Sequence, residues 1–183
     1  MALTLLQVET LLTAAGSRLY GGEAVSQLQH ALQAATLAQA DGAADSLIVA
    51  SLLHDLGHVL FEQGDDDLAQ GEDDLHQYRI LPFLRGLFDD VVLAPIGLHV
   101  EAKRYLCWQN TAYRSSLSAA SQASLALQGG PMSDIEAADF IARPHAQAAL
   151  ALRRYDDAAK DPTASTPALI HFMPLLHALA GQA

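Results

Sequence analysis

His30, His54, His76 and His99 fall 24, 22 and 23 residues apart. In an antiparallel bundle, a helix and its turn take a comparable length of chain to return to the same height, so this spacing can bring four imidazoles to one level. Asp55 directly follows His54. On a helix the two would point about 100° apart, toward neighbouring metals or opposite sides of one. A late carboxylate is available in Tyr155-Asp156-Asp157. Four imidazoles and two carboxylates are too many for one metal that also keeps an open position. They suit two metals with one carboxylate between them.

Other residues register with this set. Lys103 lies one turn beyond His99, and Arg153 lies three residues before Asp156, so each projects from a ligand-bearing face. Ser121 and Ser124 are three apart and can donate two hydroxyl hydrogen bonds to one anionic group. Away from the ligands these would read as solvated charges and small packing residues. His58, one turn after the His-Asp pair, either lines the site or sits at a helix end. His145, His171 and His177 do not register and read as structural or exposed, and Cys107 reads as packing. The acidic Asp65-Asp66-Asp67 and Asp73-Asp74 read as a solvated loop, not a calcium site.

Helices are the elements that would carry these residues. About half of the 183 residues are apolar but only 6% are aromatic, with Ala, Leu and Gln recurring, which favours helix over strand. Periodicity and breakers predict helices over 4–19, 25–40, 45–57 (capped by Asp45), 75–81 (bent by Pro82), 91–108, 117–127, 134–142, 144–160 (with Pro144 in its first turn) and 167–179. Residues 62–74 read as a loop and 110–116 as a connection. Gly21-Gly22, between Tyr20 and Glu23, mark a hinge or tight turn.

The net charge of −11 argues against nucleic acid or an anionic membrane as a partner, and makes an anionic substrate depend on metals or a few placed cations. No protein partner surface is evident. One cysteine, no secretory signal and no apolar run near ~20 residues point to the cytoplasm. The expected fold is all-α: a single domain over 1–183, with a metal-binding core at about 25–160, an N-terminal helix and lid at 1–24, and a C-terminal helix at 167–180.

His30, then His54-Asp55, then a late Asp, resembles the signature of the HD superfamily, and the inserted His76 and His99 resemble its dinuclear members. The resemblance sharpens at Tyr20-Gly21-Gly22-Glu23, at Leu52 to His58, at His99 to Leu106, at Gln128 to Met132 and at Leu152 to Lys160. Together these resemble the HD-domain mixed-valence diiron oxygenases of organophosphonate catabolism, relatives of myo-inositol oxygenase, over residues 17–161.

The resemblance implies an HD-domain bundle with two iron ions, Fe(II) and Fe(III), in its core. One would be held by His30, His54 and Asp156, the other by His76 and His99, with Asp55 bridging. Asp156 is preferred over Asp157 because the family places an aromatic before the ligand and a lysine four residues after it, as Tyr155 and Lys160 stand here. Lys103, Ser121, Ser124 and Arg153 would grip a phosphonate, and His58 would line the pocket. Tyr20 would cover or ligate iron until substrate enters, and Glu23 would meet a substrate amine. The implied reaction uses O2 to cleave the C–P bond of a 1-hydroxy-2-aminoethylphosphonate-type molecule to phosphate and glycine. The alternatives are a metal-dependent HD phosphohydrolase of phosphate esters or nucleotides, and a metal-sensing helical module without turnover.

Overall fold

A computed structural model describes residues 2–14, 19–20, 23–61 and 73–181, and among these every regular element is helical. The helices are α1 (Leu5–Ala14), α2 (Gln27–Ala40), α3 (Asp45–Leu53), α4 (Leu56–Leu60), α5 (His76–Arg79), α6 (Leu81–Leu84), α7 (Asp90–Gln109), α8 (Thr111–Ser116), α9 (Ala119–Leu127), α10 (Asp134–Ile141), α11 (Ala146–Ala158) and α12 (Met173–Leu179). A 3₁₀ turn, Leu169–His171, precedes the last. None is long and apolar enough to cross a membrane. The acidic run Asp65-Asp66-Asp67 and Gly21-Gly22 lie outside the described residues.

Local chemistry sets the helix starts, and through them the direction of each functional side chain. Ser26 accepts from Gln29 N while the Gln29 side chain returns to Ser26 N, a capping box that starts α2 one turn before His30. Ser133 and Glu136 do the same for α10, and Ser118 accepts from Ser121 N to start α9. Gly129 and Gly130 take positive φ after α9, and Gly130 N returns to Leu125 O.

Three sequence expectations are corrected. Residues 111–116 of the expected connection form α8: Asn110 accepts from the backbone N–H of Ala112 and Tyr113, a cap that supports a weakly helical Thr/Tyr/Ser stretch. Pro144 precedes α11, because His145 takes a left-handed conformation (φ 64) and helix resumes at Ala146. Asp45 is the first residue of α3 and makes no side-chain cap. Ala44 holds the cap position, and Asp45 meets the helix dipole instead.

One large apolar cluster joins α1, α2, α3, α6 and the first half of α7, including Leu52, Leu53, Leu84, Phe88 and Ile96. A second joins the later half of α7 to α10 and α11, through Ala102, Leu106, Phe140 and Ala149. Each fully buried large side chain contributes about 1.5–3 kcal/mol. His99 sits on α7 between Ile96 of the first cluster and Ala102 of the second, so polar ligands occupy the seam between two packed regions.

Candidate metal centre and its pocket

Each of the four imidazoles is held through Nδ1. His30 on α2 donates to Ala159 O at 2.9 Å, His54 at the end of α3 to Ser51 O at 2.9 Å, and His99 on α7 to Ile96 O at 2.7 Å. A carbonyl oxygen only accepts, so these Nδ1 atoms carry the proton, and in the neutral ring each Nε2 presents a lone pair. His76, which opens α5, donates from Nδ1 to the Asp74 carboxylate at 2.7 Å, with the same result.

The lone pairs face one another. His30 Nε2 lies 3.2 Å from His54 Nε2, and His76 Nε2 lies 3.1 Å from His99 Nε2. Such pairs repel unless a cation stands between them. The helix breaks at His54, so Asp55 leaves the α3 register and turns its carboxylate between the two pairs. Its Oδ2 is 3.6 and 3.4 Å from Nε2 of His30 and His54, and its Oδ1 is 3.3 and 3.7 Å from Nε2 of His76 and His99. Oδ2 is buried without a hydrogen-bond donor among the described residues. Asp156 on α11 adds Oδ1 at 3.4 and 3.9 Å from His30 and His54.

These donors fit metal ions. A divalent metal about 2.1 Å from its nitrogen and oxygen donors sets adjacent donors about 3–3.4 Å apart, close to the spacing found. Two buried sets result, His30/His54/Asp156 and Asp55/His76/His99, each with its donor atoms within 4.8 Å of one another. His58, Asp74 and His76 form a third close group. There both rings already share protons with one carboxylate, so a cation is not required.

The electrostatics show the same need for positive charge. Burial works against ionising Asp55 and Asp156, yet His54 and the other imidazoles beside the first, and Arg153 beside the second, hold both well below the usual carboxylate range. Burial also opposes a charge on His76, but the hydrogen bonds it donates to the Asp55 and Asp74 carboxylates raise it to about 9. Burial and then His76 itself push His99 well down. Burial likewise opposes a charge on His54, but the Asp55 and Asp156 carboxylates raise it.

A cavity of ≈ 110 Å³ opens onto Asp55, His76, His99 and Asp156, but His30 and His54 do not line it. Tyr20 stacks on His30 with ring centres 3.9 Å apart and donates to Asp156 Oδ1 at 3.5 Å. Its phenol is raised well above the usual value by burial and then by Asp156. Glu23 N donates to Tyr20 O, which fixes the two residues relative to each other. Lys103, 2% exposed, donates to Ser124 Oγ at 2.9 Å, and burial, then Arg153, lowers it to about 7. Arg153 pairs with Asp156 at 2.8 Å and with Asp157. Ser121 accepts from Lys160 at 3.0 Å. The residues that the sequence assigned to the site therefore lie around one centre.

Three assignments from sequence change or were missing. Asp74 is not a solvated loop residue: it accepts from His76 and from His58 Nδ1, the latter at 2.9 Å. Asp157, passed over as a ligand, has a role of its own, since it holds Arg153 and accepts from Tyr113 OH. Lys160, read only as a pattern marker, lines the cavity and bonds Glu23 at 3.0 Å as well as Ser121 and Ser118. The sequence signal for Asp74 was its place two residues before His76, where an Asp side chain folds back onto the backbone N–H, here at 3.2 Å.

No known family model matches the chain. It is 39% identical over 161 residues to the [1-hydroxy-2-(trimethylamino)ethyl]phosphonate dioxygenase (glycine-betaine-forming) of Leisingera caerulea, covering 88% of this chain and 82% of that protein. It is 48% identical over 139 residues to the hydroxymethylphosphonate dioxygenase of Gimesia maris, covering 75% and 69%. An uncharacterized protein of Acanthamoeba polyphaga mimivirus is 35% identical over 144 residues, covering 77% and 65%.

Proposed function

The chain belongs to the phosphonate dioxygenase family, and from that premise we propose that it uses O2 to cleave the C–P bond of a small 1-hydroxyphosphonate. The metals are proposed to be two iron ions, one held by His30, His54 and Asp156, the other by His76 and His99, with Asp55 shared. The observation that carries this reading is Asp55, whose two oxygens each face a different pair of imidazole lone pairs. Bound there, iron supplies the one-electron steps that let O2 oxidise a closed-shell substrate, and a Lewis-acid seat for oxygen ligands.

The chain's own residues bind and orient. A phosphonate dianion suits Lys103, a buried cation whose hydrogen-bond partner is a neutral serine hydroxyl, together with Ser121, Ser124 and Arg153. His58 keeps Nδ1 on Asp74, which leaves Nε2 to accept from the C1 hydroxyl. Tyr20 covers His30 and moves aside as substrate enters. In the overall change the C1–H, C–P and O=O bonds break, one O2 atom forms a new C–O bond as C1 becomes a carboxyl carbon, and the other forms a new P–O bond. The substrate and O2 become a carboxylate, phosphate and a proton. The four electrons taken by O2 all come from the substrate, so no outside reductant is consumed.

The substrate's tail is proposed to carry an ammonium, giving glycine, with Glu23 exchanging Lys160 for that cation. A second reading has its own observation: Glu23 is already neutralised by Lys160, which suits an uncharged tail. The chain is proposed to act in the cytoplasm as one unit, with core 25–160, lid 1–24 and terminal helix 167–180. The deciding experiment mixes iron-loaded protein with hydroxylated aminoethylphosphonate or with hydroxymethylphosphonate under anaerobic conditions and measures phosphate before and after O2 is admitted. Release only after O2 is expected. Release without it would overturn the oxygenase and favour a hydrolase.

A further inference from the structure

Asp74 belongs to neither ligand set, yet its two oxygens hold two different imidazoles. Oδ1 accepts from His76 Nδ1 at 2.7 Å, and Oδ2 accepts from His58 Nδ1 at 2.9 Å. Those rings stack with centres 3.9 Å apart and planes 27° from parallel. We propose that Asp74 is a positioning residue that couples the metal-facing His76 to the pocket-facing His58 and fixes which nitrogen of each faces the reaction.

The local backbone is shaped to deliver this carboxylate. Leu75 takes a left-handed conformation (φ 51), which leucine rarely adopts, and its N–H donates to Asp73 Oδ1 at 3.3 Å. The turn brings His76 N onto Asp74 Oδ1 at 3.2 Å, so the carboxylate's orientation is tied to the main chain. From the other side, Gly57 lets α4 approach closely, since a Cβ there would stand 2.5 Å from His76 O. α4 carries His58 and α5 carries His76, so this approach lets one carboxylate reach both rings.

The consequence is a defined tautomer at each ring. A carboxylate only accepts, so His58 and His76 both carry Nδ1–H, and in the neutral ring that metal binding requires both present Nε2 as a lone pair. For His76 that lone pair faces His99 and the metal set. For His58 it faces the cavity, 4.0 Å from Asp55 Oδ1, too far for a hydrogen bond and free to accept from a substrate hydroxyl. The role in turnover rests on the proposed function; the tautomer assignment does not.

Asp74→Asn tests the coupling because an amide offers one acceptor and one donor. It can hold only one ring as Nδ1–H. His76 needs its Nε2 lone pair for metal, so the flip falls on His58, which becomes Nε2–H. Ring ¹⁵N correlation spectra of the zinc-loaded full chain should show His58 as Nδ1–H in the unaltered protein and Nε2–H in Asp74→Asn, with two metals retained in both. In the iron-loaded variant kcat should fall about 10- to 100-fold with KM within about threefold, and Asp74→Glu should restore the His58 tautomer.

His58 found as Nε2–H in the unaltered protein overturns the proposal before any substitution is made. So does an Asp74→Asn variant that keeps the Nδ1–H form with kcat within about threefold. Loss of a metal with the His58 tautomer unchanged would reduce Asp74 to a support for His76 and overturn the coupling. If the unaltered protein shows the assigned tautomers but releases no phosphate, the functional reading fails and the tautomer assignment stands.

Discussion

The two candidate ligand sets are built from similar donors but supported differently. In the inner set, His30 and His54 lean on main-chain carbonyls, those of Ala159 and Ser51, and Asp156 comes from the long α11. Main-chain partners move only if helices move, and neither histidine lines the cavity. In the pocket-side set, His76 opens a single-turn helix after a left-handed residue and leans on the side chain of Asp74. His99 and Asp55 of that set line the cavity with it. The inner set is therefore the fixed half, and the pocket-side set is where binding and orientation can respond to substrate. Asp55 joins them.

Asp55→Asn should have the largest effect, because it is the one side chain common to both halves. The amide removes the charge that offsets two cations and places an NH2 donor against imidazole lone pairs. Metal analysis should find fewer than two ions per chain, and O2-dependent phosphate release should be abolished. Full retention of both metals would break the comparison, since the sets would then stand independently.

Gly57→Ala should act on one half only. Its new methyl would stand 2.5 Å from His76 O, so α4 and α5 must separate. Overpacking of this kind costs about 1–3 kcal/mol. The expected result is a lower Tm and weaker binding of one metal of the two, followed by titrating zinc into the apo chain. Equal weakening of both would mean that the inner set is no more rigid than the outer.

The same contrast explains what could be read from the sequence. His30, His54 and His99 belong to long helices or their ends, where 3.6-residue periodicity and caps such as Ser26 dictate direction, so their spacing alone indicated a shared level. Asp74 was hidden because its direction comes from a left-handed turn, and an acidic stretch without periodicity gives no sign of one. Lys160 was hidden for a related reason: the chain leaves helical geometry at Ala159 (ψ 44), so no helical face predicts that Lys160 turns back into the cavity. Asp157 lay on a helix, but its partner Tyr113 comes from α8, the segment read as a plain connection.

The smallest predicted effect concerns Lys103, one turn beyond His99 and on the pocket side of the comparison. Burial, reinforced by Arg153, lowers its ammonium to about 7. Below that pH it is charged and can hold a phosphonate; as pH rises through 7 it loses the charge, so KM should climb by up to about tenfold per pH unit. The substrate's own ionisation works in the opposite direction, because a phosphonate becomes more anionic as pH rises and would bind cations more tightly. The sign of the KM change between pH 6 and 8.5 therefore separates the two groups. Lys103→Arg, whose guanidinium stays charged throughout, should flatten or reverse the profile. A rising KM that survives this substitution would assign the dependence to another group and overturn the titration of Lys103 as its cause.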